Sequence, residues 1–401
     1  MDSITQITLG AAVGEAVLGR KVGNRAMLWG GIIGTIPDLD VLSDFVLSEI
    51  DALAFHRAIT HSITFSIFGA IVFGFLIHRY YLFRYRRPVS FICWMVPVFL
   101  LVYLLNFTGS KEINVFWFGA SLLLLLLTFL WNYKKYYLNT RRAPGVSSLD
   151  WMHLSFWTLI THPLLDSCTV YGTQLFLPFS NYRVAFNNIS VADPAYTIPF
   201  LLLVLVASFL HKSNNKRRIF NYAALVISSL YMLWTVSNKF QANTVMERTL
   251  ESKNIEYKRY MTSPTILNNW LWYSIAESDS LFHYGLYSFS DEEKLFKLHS
   301  MPKNHHWLNA HPDDKTINTL KWFSNGYFGV MRKKDGGLQI NDMRYGTFSG
   351  NEGAEDDFIF RFEIEKKEDG YYHLIEAFGG PPEGQDQSQA FRDLFSRMEG
   401  I

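Results

Sequence analysis

The stretch His56-Arg57-Ala58-Ile59-Thr60-His61-Ser62 opens directly onto an uncharged apolar run that ends at His78. Imidazoles and a guanidinium at the edge of a lipid-soluble segment are expensive unless something binds them. Five more apolar runs, at 89–107, 114–133, 150–166, 194–210 and 219–237, share the first half of the chain with the run at 61–78. Most approach the ~20 residues needed to cross a hydrocarbon core of ~30 Å, and two fall short of it. The pattern predicts a polytopic membrane α-helical bundle with about six transmembrane helices.

The two halves of the chain are different materials. Residues 1–239 carry 19 Lys+Arg against 11 Asp+Glu and residues 240–401 carry 18 against 25, so a +8 segment precedes a −7 segment. From residue 240 onward, strand-like alternation at 270–276, 282–289, 327–331, 358–364 and 371–377 is interleaved with helical stretches at 291–299, 312–323 and 387–398, the last after Gly379-Gly380-Pro381-Pro382. This predicts a soluble α+β domain over 240–401 behind a membrane domain over 1–239. Cys93 and Cys168 give neither a disulfide framework nor a cysteine zinc motif, and each reads as a small buried residue. Walker and dinucleotide glycine fingerprints are absent, and the basic loops read as topology signals, so no nucleic-acid partner is expected.

Basic residues gather four apiece in the loops 79–87, 134–142 and 212–218, whereas 41–60, 108–113 and 167–193 hold one apiece. The positive-inside rule places the first set in the cytoplasm and the second on the opposite face. His61, His162 and Asp166 then meet at the outer boundary, with the 240–401 domain on the same extracytoplasmic side. Residues 4–36 fit this scheme as a re-entrant or shielded hairpin of half-helices, 4–19 and 26–36, turning at the basic segment 20–25; a single long helix is the alternative. Glycines at 10, 14, 30, 31 and 34 would let the arms pack closely. Glu15, inside the first arm, is either functional or paired with Arg20 or Arg25. The chain start lacks a signal-peptide pattern, so Met1 is expected to be retained.

The candidate chemistry lies in four short clusters. His162 and Asp166 are four residues apart on one helix face, a spacing that serves a shared ion or a simple hydrogen-bonded pair. Asp38 and Asp40 follow Pro37, which ends a helix, so they either point into a site or cap a turn. His56 and His61 stand about 140° apart on an ideal helix, which requires one of them to sit in a loop. Thr60 or Ser62 would then cap the helix that follows. Oxygen and imidazole ligands without thiolate suit a divalent cation, zinc first, with manganese or iron also compatible.

Taken in order, Asp2-Ser3-Ile4-Thr5-Gln6, Pro37-Asp38-Leu39-Asp40, His56-Arg57-Ala58-Ile59-Thr60-His61-Ser62 and Thr161-His162-Pro163-Leu164-Leu165-Asp166 resemble the bacterial inner-membrane metal-dependent hydrolases of the YdjM type. Thr169-x-x-Gly172-Thr173-Gln174 to Pro178-Phe179 extends the likeness, which covers roughly 1–237. The resemblance implies a multi-pass inner-membrane hydrolase with a His/Asp metal centre. It departs at Gln6, where His commonly follows the Thr; Asp2 is the substitute ligand.

On this reading Asp38, His61, His162 and Asp166 hold the metal, with Asp2, Asp40 or His56 completing one or two sites, and the ion activates a water. Asp40 takes the proton, and Arg57 or Arg183 stabilises charge on a phosphoryl or acyl oxygen. The expected substrate is amphipathic or lipid-like, a phosphoester or ester drawn from the membrane lipids. A non-enzymatic alternative is a membrane scaffold with a structural metal site and a partner-binding C-terminal domain. A transporter using intramembrane acids would need repeats that the sequence does not display.

Overall fold

The structure is a computed structural model and describes residues 1–84, 86–107, 115–134, 145–308, 311–333, 337–347, 358–379 and 387–400. The expected loops 108–113 and 135–142 and the break at 380–382 lie outside the described residues. The N-terminal half is helical. Asp2 caps helix α1 (Ser3–Val22) by accepting the Thr5 amide at 3.0 Å. Gly23, at φ +65°, then reverses the chain into α2 (Asn24–Thr35). A Cβ built on Gly10 would lie 2.4 Å from the Gly30 carbonyl oxygen, so the two backbones touch and only glycine fits there. The hairpin expected over 4–36 is therefore present, its turn tighter than the six residues read for it.

After α2 come a 3-10 turn (Pro37–Phe45), α3 (Glu49–Phe55) and a second 3-10 turn (Ile59–His61). Then follow α4 (Ile63–Leu82), α5 (Arg86–Phe107), α6 (Val115–Tyr133), α7 (Ser148–Asp166), α8 (Pro194–Phe209) and α9 (Asn215–Ser252). All six apolar runs are helices. Among the described residues two of them, α4 and α9, are long and apolar enough to cross a membrane. The six-span expectation meets two physical obstacles. Helix α8 has 16 residues, about 24 Å at 1.5 Å per residue. Helix α7 carries Asp150, His153, His162 and Asp166. Helix α9 runs unbroken through Lys239, where the composition changes.

The chain forms two compact units. One comprises Met1–Ala70 with Leu154–Ile401, the other Ile71–His153. Inside the second, α5 and α6 meet through Trp94 against Trp131 and Phe91 against Phe129, and Cys93 is exposed rather than buried. Inside the first, α1 and α2 pack with α8 and α9 around Ala12, Met27, Phe200, Val204 and Ala224.

The C-terminal part holds two four-stranded antiparallel sheets, each a simple meander. The first is β1 (Arg259–Pro264), β2 (Leu271–Glu277), β3 (Leu281–Ser288) and β4 (Lys297–Pro302). The second is β5 (Phe328–Arg332), β6 (Leu338–Thr347), β7 (Phe358–Lys366) and β8 (Tyr372–Gly379). Helices α10 (Lys315–Phe323) and α11 (Gln387–Met398) accompany them, as the sequence indicates. The helix expected over 291–299 is instead a turn entering β4. Asp291 holds that turn by accepting the Ser288 amide at 2.8 Å and a bidentate Arg397 at 2.6 and 2.7 Å. Strand β6 escapes a pattern reading because Asn341, Asp342 and Arg344 are all buried in it. The two halves share one core, in which Ile50 and Leu53 of α3 pack with Leu320, Phe323 and Phe362.

Candidate metal centre

Pro37 fixes the first turn of a 3-10 segment, and residues two apart on such a helix differ by about 240° in direction. Asp38 and Asp40 therefore meet opposite sides of His61: Asp38 lies against its Nε2 and against His162 of α7, and Asp40 against its Nδ1 and against His56 in the α3–α4 connection. In that connection Arg57 takes a left-handed backbone at φ +59°, a conformation costing roughly 1–2 kcal/mol for a residue with a Cβ. Two contacts hold it there. The Arg57 amide donates to Asp40 Oδ2 at 2.8 Å, and its carbonyl accepts the Gln174 amide at 3.1 Å. The reversal leaves His56 in the loop and brings His61 inward, while Ser62 accepts the Phe65 amide at 2.9 Å and starts α4.

Four ligand atoms converge. His61 Nε2 lies 3.2 Å from His162 Nε2, 3.5 Å from Asp38 Oδ1 and 3.3 Å from Asp166 Oδ2. His162 Nε2 lies 3.3 Å from each of the two carboxylate oxygens. All four atoms fall within 4.8 Å of one another. Ligands held ~2.0–2.2 Å from a central ion sit about 3.3–3.6 Å apart at the corners of a tetrahedron. Five of the six edges, at 3.2–3.5 Å, lie close to that figure, and the sixth, between the Asp38 and Asp166 oxygens, is within 4.8 Å.

The imidazoles are oriented from behind. His162 Nδ1 donates to the Gly34 carbonyl at 2.6 Å, which leaves the Nε2 lone pair facing the group. His61 Nδ1 lies 3.2 Å from Asp40 Oδ2, the carboxylate–histidine pairing that fixes a metal-binding tautomer. Asp166 Oδ2 is buried without a hydrogen-bond partner. Its Oδ1 accepts from Gln6 Nε2 at 3.0 Å and from the Met1 amino group, and Arg57 Nη2 stands 3.6 Å away. Burial by itself would lower the His61 pKa, but the Asp166, Asp38 and Asp40 carboxylates outweigh it and push the imidazole up to about 10. Burial would likewise raise Asp38, yet hydrogen bonds from His162 and His61 hold it well below the usual carboxylate range. Asp40 is depressed in the same way by His56 and His61.

The donor set of two imidazole nitrogens and two carboxylate oxygens fits a divalent cation. The sequence profile described as YdjM inner membrane protein matches residues 1–109 and 114–242. The chain belongs to that family. No curated protein and no solved structure matches it. Within this YdjM chain the structure groups four of the six predicted ligands. Asp2 is not among them, because Thr5 occupies its carboxylate through the amide at 3.0 Å and the hydroxyl at 2.6 Å. Nor is His56, whose Nδ1 lies 2.9 Å from Asp40 Oδ1. Arg57 donates to Thr169 Oγ1 at 2.9 Å and stacks over Tyr171. Arg183 is spent on the Tyr171 carbonyl at 2.5 and 3.1 Å and lies over the rings of Tyr171 and Phe323.

Some supporting groups were beyond sequence reasoning. The Gly34 carbonyl is a backbone atom with no side-chain signal. Gln174 had a faint one, as the last residue of Gly172-Thr173-Gln174. Glu15 pairs with Arg217 at 2.5 and 2.6 Å, not with Arg20 or Arg25. Arg217 had been counted among the loop charges.

Proposed function

We propose that this YdjM-family protein is a membrane-embedded metal-dependent hydrolase acting on an amphipathic, lipid-like phosphoester or ester. The observation that carries the reading is the buried convergence of His61, His162, Asp38 and Asp166, whose ligand atoms lie within 4.8 Å of one another. A cation bound there, zinc by its donor chemistry, supplies a water acidified to near neutral pKa. The protein's own residues do the rest. Asp38 is the partly exposed ligand, its side chain 23% accessible against at most 1% for the other three. Asp38 is thus the ligand that solvent reaches.

Asp40 changes role relative to the sequence reading. Its oxygens are engaged by His56, the Arg57 amide and His61, so it orients the His61 ring and is not a free base. Arg57 keeps a buried Nε without a hydrogen-bond partner, a donor for charge developing on a phosphoryl or acyl oxygen. Arg183 stands behind Tyr171 and steadies that ring. The membrane setting follows the family; with it we place the six apolar helices across the bilayer and the C-terminal sheets on the extracytoplasmic face, as the loop charges indicate.

Closure by four protein ligands also favours a second reading, a structural metal in a membrane scaffold. One experiment separates the two. Purified full-length protein is incubated with fractionated envelope lipids, with and without chelator, and products are followed by mass spectrometry. The hydrolase reading expects a metal-dependent product that Asp38→Ala and His162→Ala both abolish together with bound metal. Unchanged lipids in every fraction, with metal retained, would establish the scaffold.

A further inference from the structure

A cavity of ≈1040 Å³ lies between the two C-terminal sheets and reaches His56, Arg57 and Tyr171. That is at or above the ~300–1,000 Å³ usual for ligand sites. Its two ends differ in chemistry. The far part is walled by Leu286 of β3, Ile359 of β7 and Leu394 of α11, with Lys297 of β4 and Asp393 and Arg397 of α11 at its margin. The near part is lined by Arg57, Arg344, Tyr171 and Tyr345, and the guanidinium of Arg183 lies 4.5 Å from the Tyr171 ring. Arg344 is anchored on Asp342 at 2.6 Å.

Two donors of residues lining this near part are buried with no hydrogen-bond partner among the described residues: Arg57 Nε and the Tyr345 hydroxyl. Arg57 is 5% exposed, so water does not satisfy it in bulk. Buried donors are ordinarily paired, and guanidinium groups with spare N–H capacity match phosphate and carboxylate oxygens. A lining that is apolar around Leu286, Ile359 and Leu394 and keeps spare donors at Arg57 and Tyr345 fits one kind of molecule.

We propose that this cavity binds an amphiphile with a single anionic headgroup of phosphate type, the headgroup against Arg57, Arg344 and Tyr345 and the apolar body between the sheets. The inference rests on the hydrolase reading only in naming the bound molecule as its substrate class. His56 and Arg57 are shared by cavity and metal centre: Asp40 accepts from the Arg57 amide and lies against His56 Nδ1 and His61 Nδ1. A headgroup held at Arg57 is thus delivered beside the ligand set. Nothing in the binding step requires turnover.

The test is equilibrium binding to the full-length protein in nonionic detergent, read by native mass spectrometry. The probes are oleoyl lysophosphatidate, oleoylglycerol and inorganic phosphate. One lysophosphatidate is expected to bind at least tenfold more tightly than oleoylglycerol, with millimolar phosphate a weak competitor. Leu286→Trp, which fills the apolar end, should weaken lysophosphatidate at least tenfold with metal content unchanged. Tyr345→Phe removes one oxygen and serves if the larger side chain disturbs folding; it should weaken lysophosphatidate several-fold and leave oleoylglycerol unaffected. His162→Ala should bind normally even though it loses metal, so failure of hydrolysis and failure of binding are told apart. Equal affinity for the two lipids, phosphate competing as strongly as the lipid, or indifference to both cavity variants would each overturn the proposal.

Discussion

Two buried clusters of charge sit in the helical half, and they are built on opposite principles. Around Arg217 the bonds close on themselves. Its guanidinium donates to both oxygens of Glu15, to Asn24 Oδ1 at 2.5 Å and to the Leu210 carbonyl at 2.8 Å. At His61 and His162 the ring nitrogens that carry the pairing face one another and two carboxylates, and Asp166 Oδ2 has no hydrogen-bond partner. A closed ion pair explains itself as architecture, tying α1 to α9. Two imidazoles and two carboxylates brought together from three segments form a group that could hold a cation. The comparison teaches that burial and charge do not mark a functional site; the direction of the donors and acceptors does.

Breaking the closed pair should have the largest effect on stability and none on chemistry. Glu15→Ala leaves Arg217 buried without its carboxylate and is expected to cost about 3–5 kcal/mol, whereas the double replacement of Glu15 and Arg217 by Met should lie far closer to wild type. Thermal unfolding in detergent checks both, and metal content per folded molecule should stay constant. Loss of metal from Glu15→Ala at full folding would mean that the two clusters are coupled. At the centre, Asp40→Asn keeps the shape but weakens the hold on His61 Nδ1. It should lower metal affinity about 10–100-fold, as outer-shell changes do, and leave the melting temperature of the chelated protein nearly unmoved.

The smallest effect expected is one of pH. In the chelated protein His61 has its pKa raised from 6.5 to about 10, so the stability it contributes is fully present below about pH 6.5 and fades as pH rises through 10. Metal binding has the reverse sign, because the ion must displace that proton: affinity should climb as pH rises from 6 toward 9. Parallel melting and metal-titration series would reveal the crossing. Stability of the chelated protein that increases with pH over that range would contradict the His61 setting.

Much of this arrangement was legible in the chain, and the part that was not has physical reasons. The i, i+4 spacing of His162 and Asp166 survives because both ends of it lie on one helix. Asp38 was readable because Pro37 ends α2 and turns the chain. The contacts of Asp40 with His56 and His61 Nδ1 were not, since the 3-10 twist that separates it from Asp38 is not displayed by a sequence written in one line. Asp2 stays out of the group for a related reason: an N-cap carboxylate with Thr three residues on is taken up by the helix start. Arg217 looked like a topology charge because its partner is 202 residues away. In the sheets, β2, β3, β5, β7 and β8 announce themselves by alternation. Strand β6 hides because its Asp342–Arg344 pair is polar yet fully inside. The apolar runs all became helices, but apolar length alone did not make each a clear span, since α7 spends its polarity on the metal centre.

The central claim is that two histidines and two aspartates from three separate segments share one cation. X-ray absorption spectroscopy of the full-length protein loaded with one equivalent of zinc tests it most directly. Two imidazole nitrogens and two carboxylate oxygens at about 2.0–2.2 Å are predicted, with one imidazole lost from the His162→Ala spectrum. A first shell lacking histidine back-scattering, or a spectrum that His162→Ala leaves unchanged, would contradict the account.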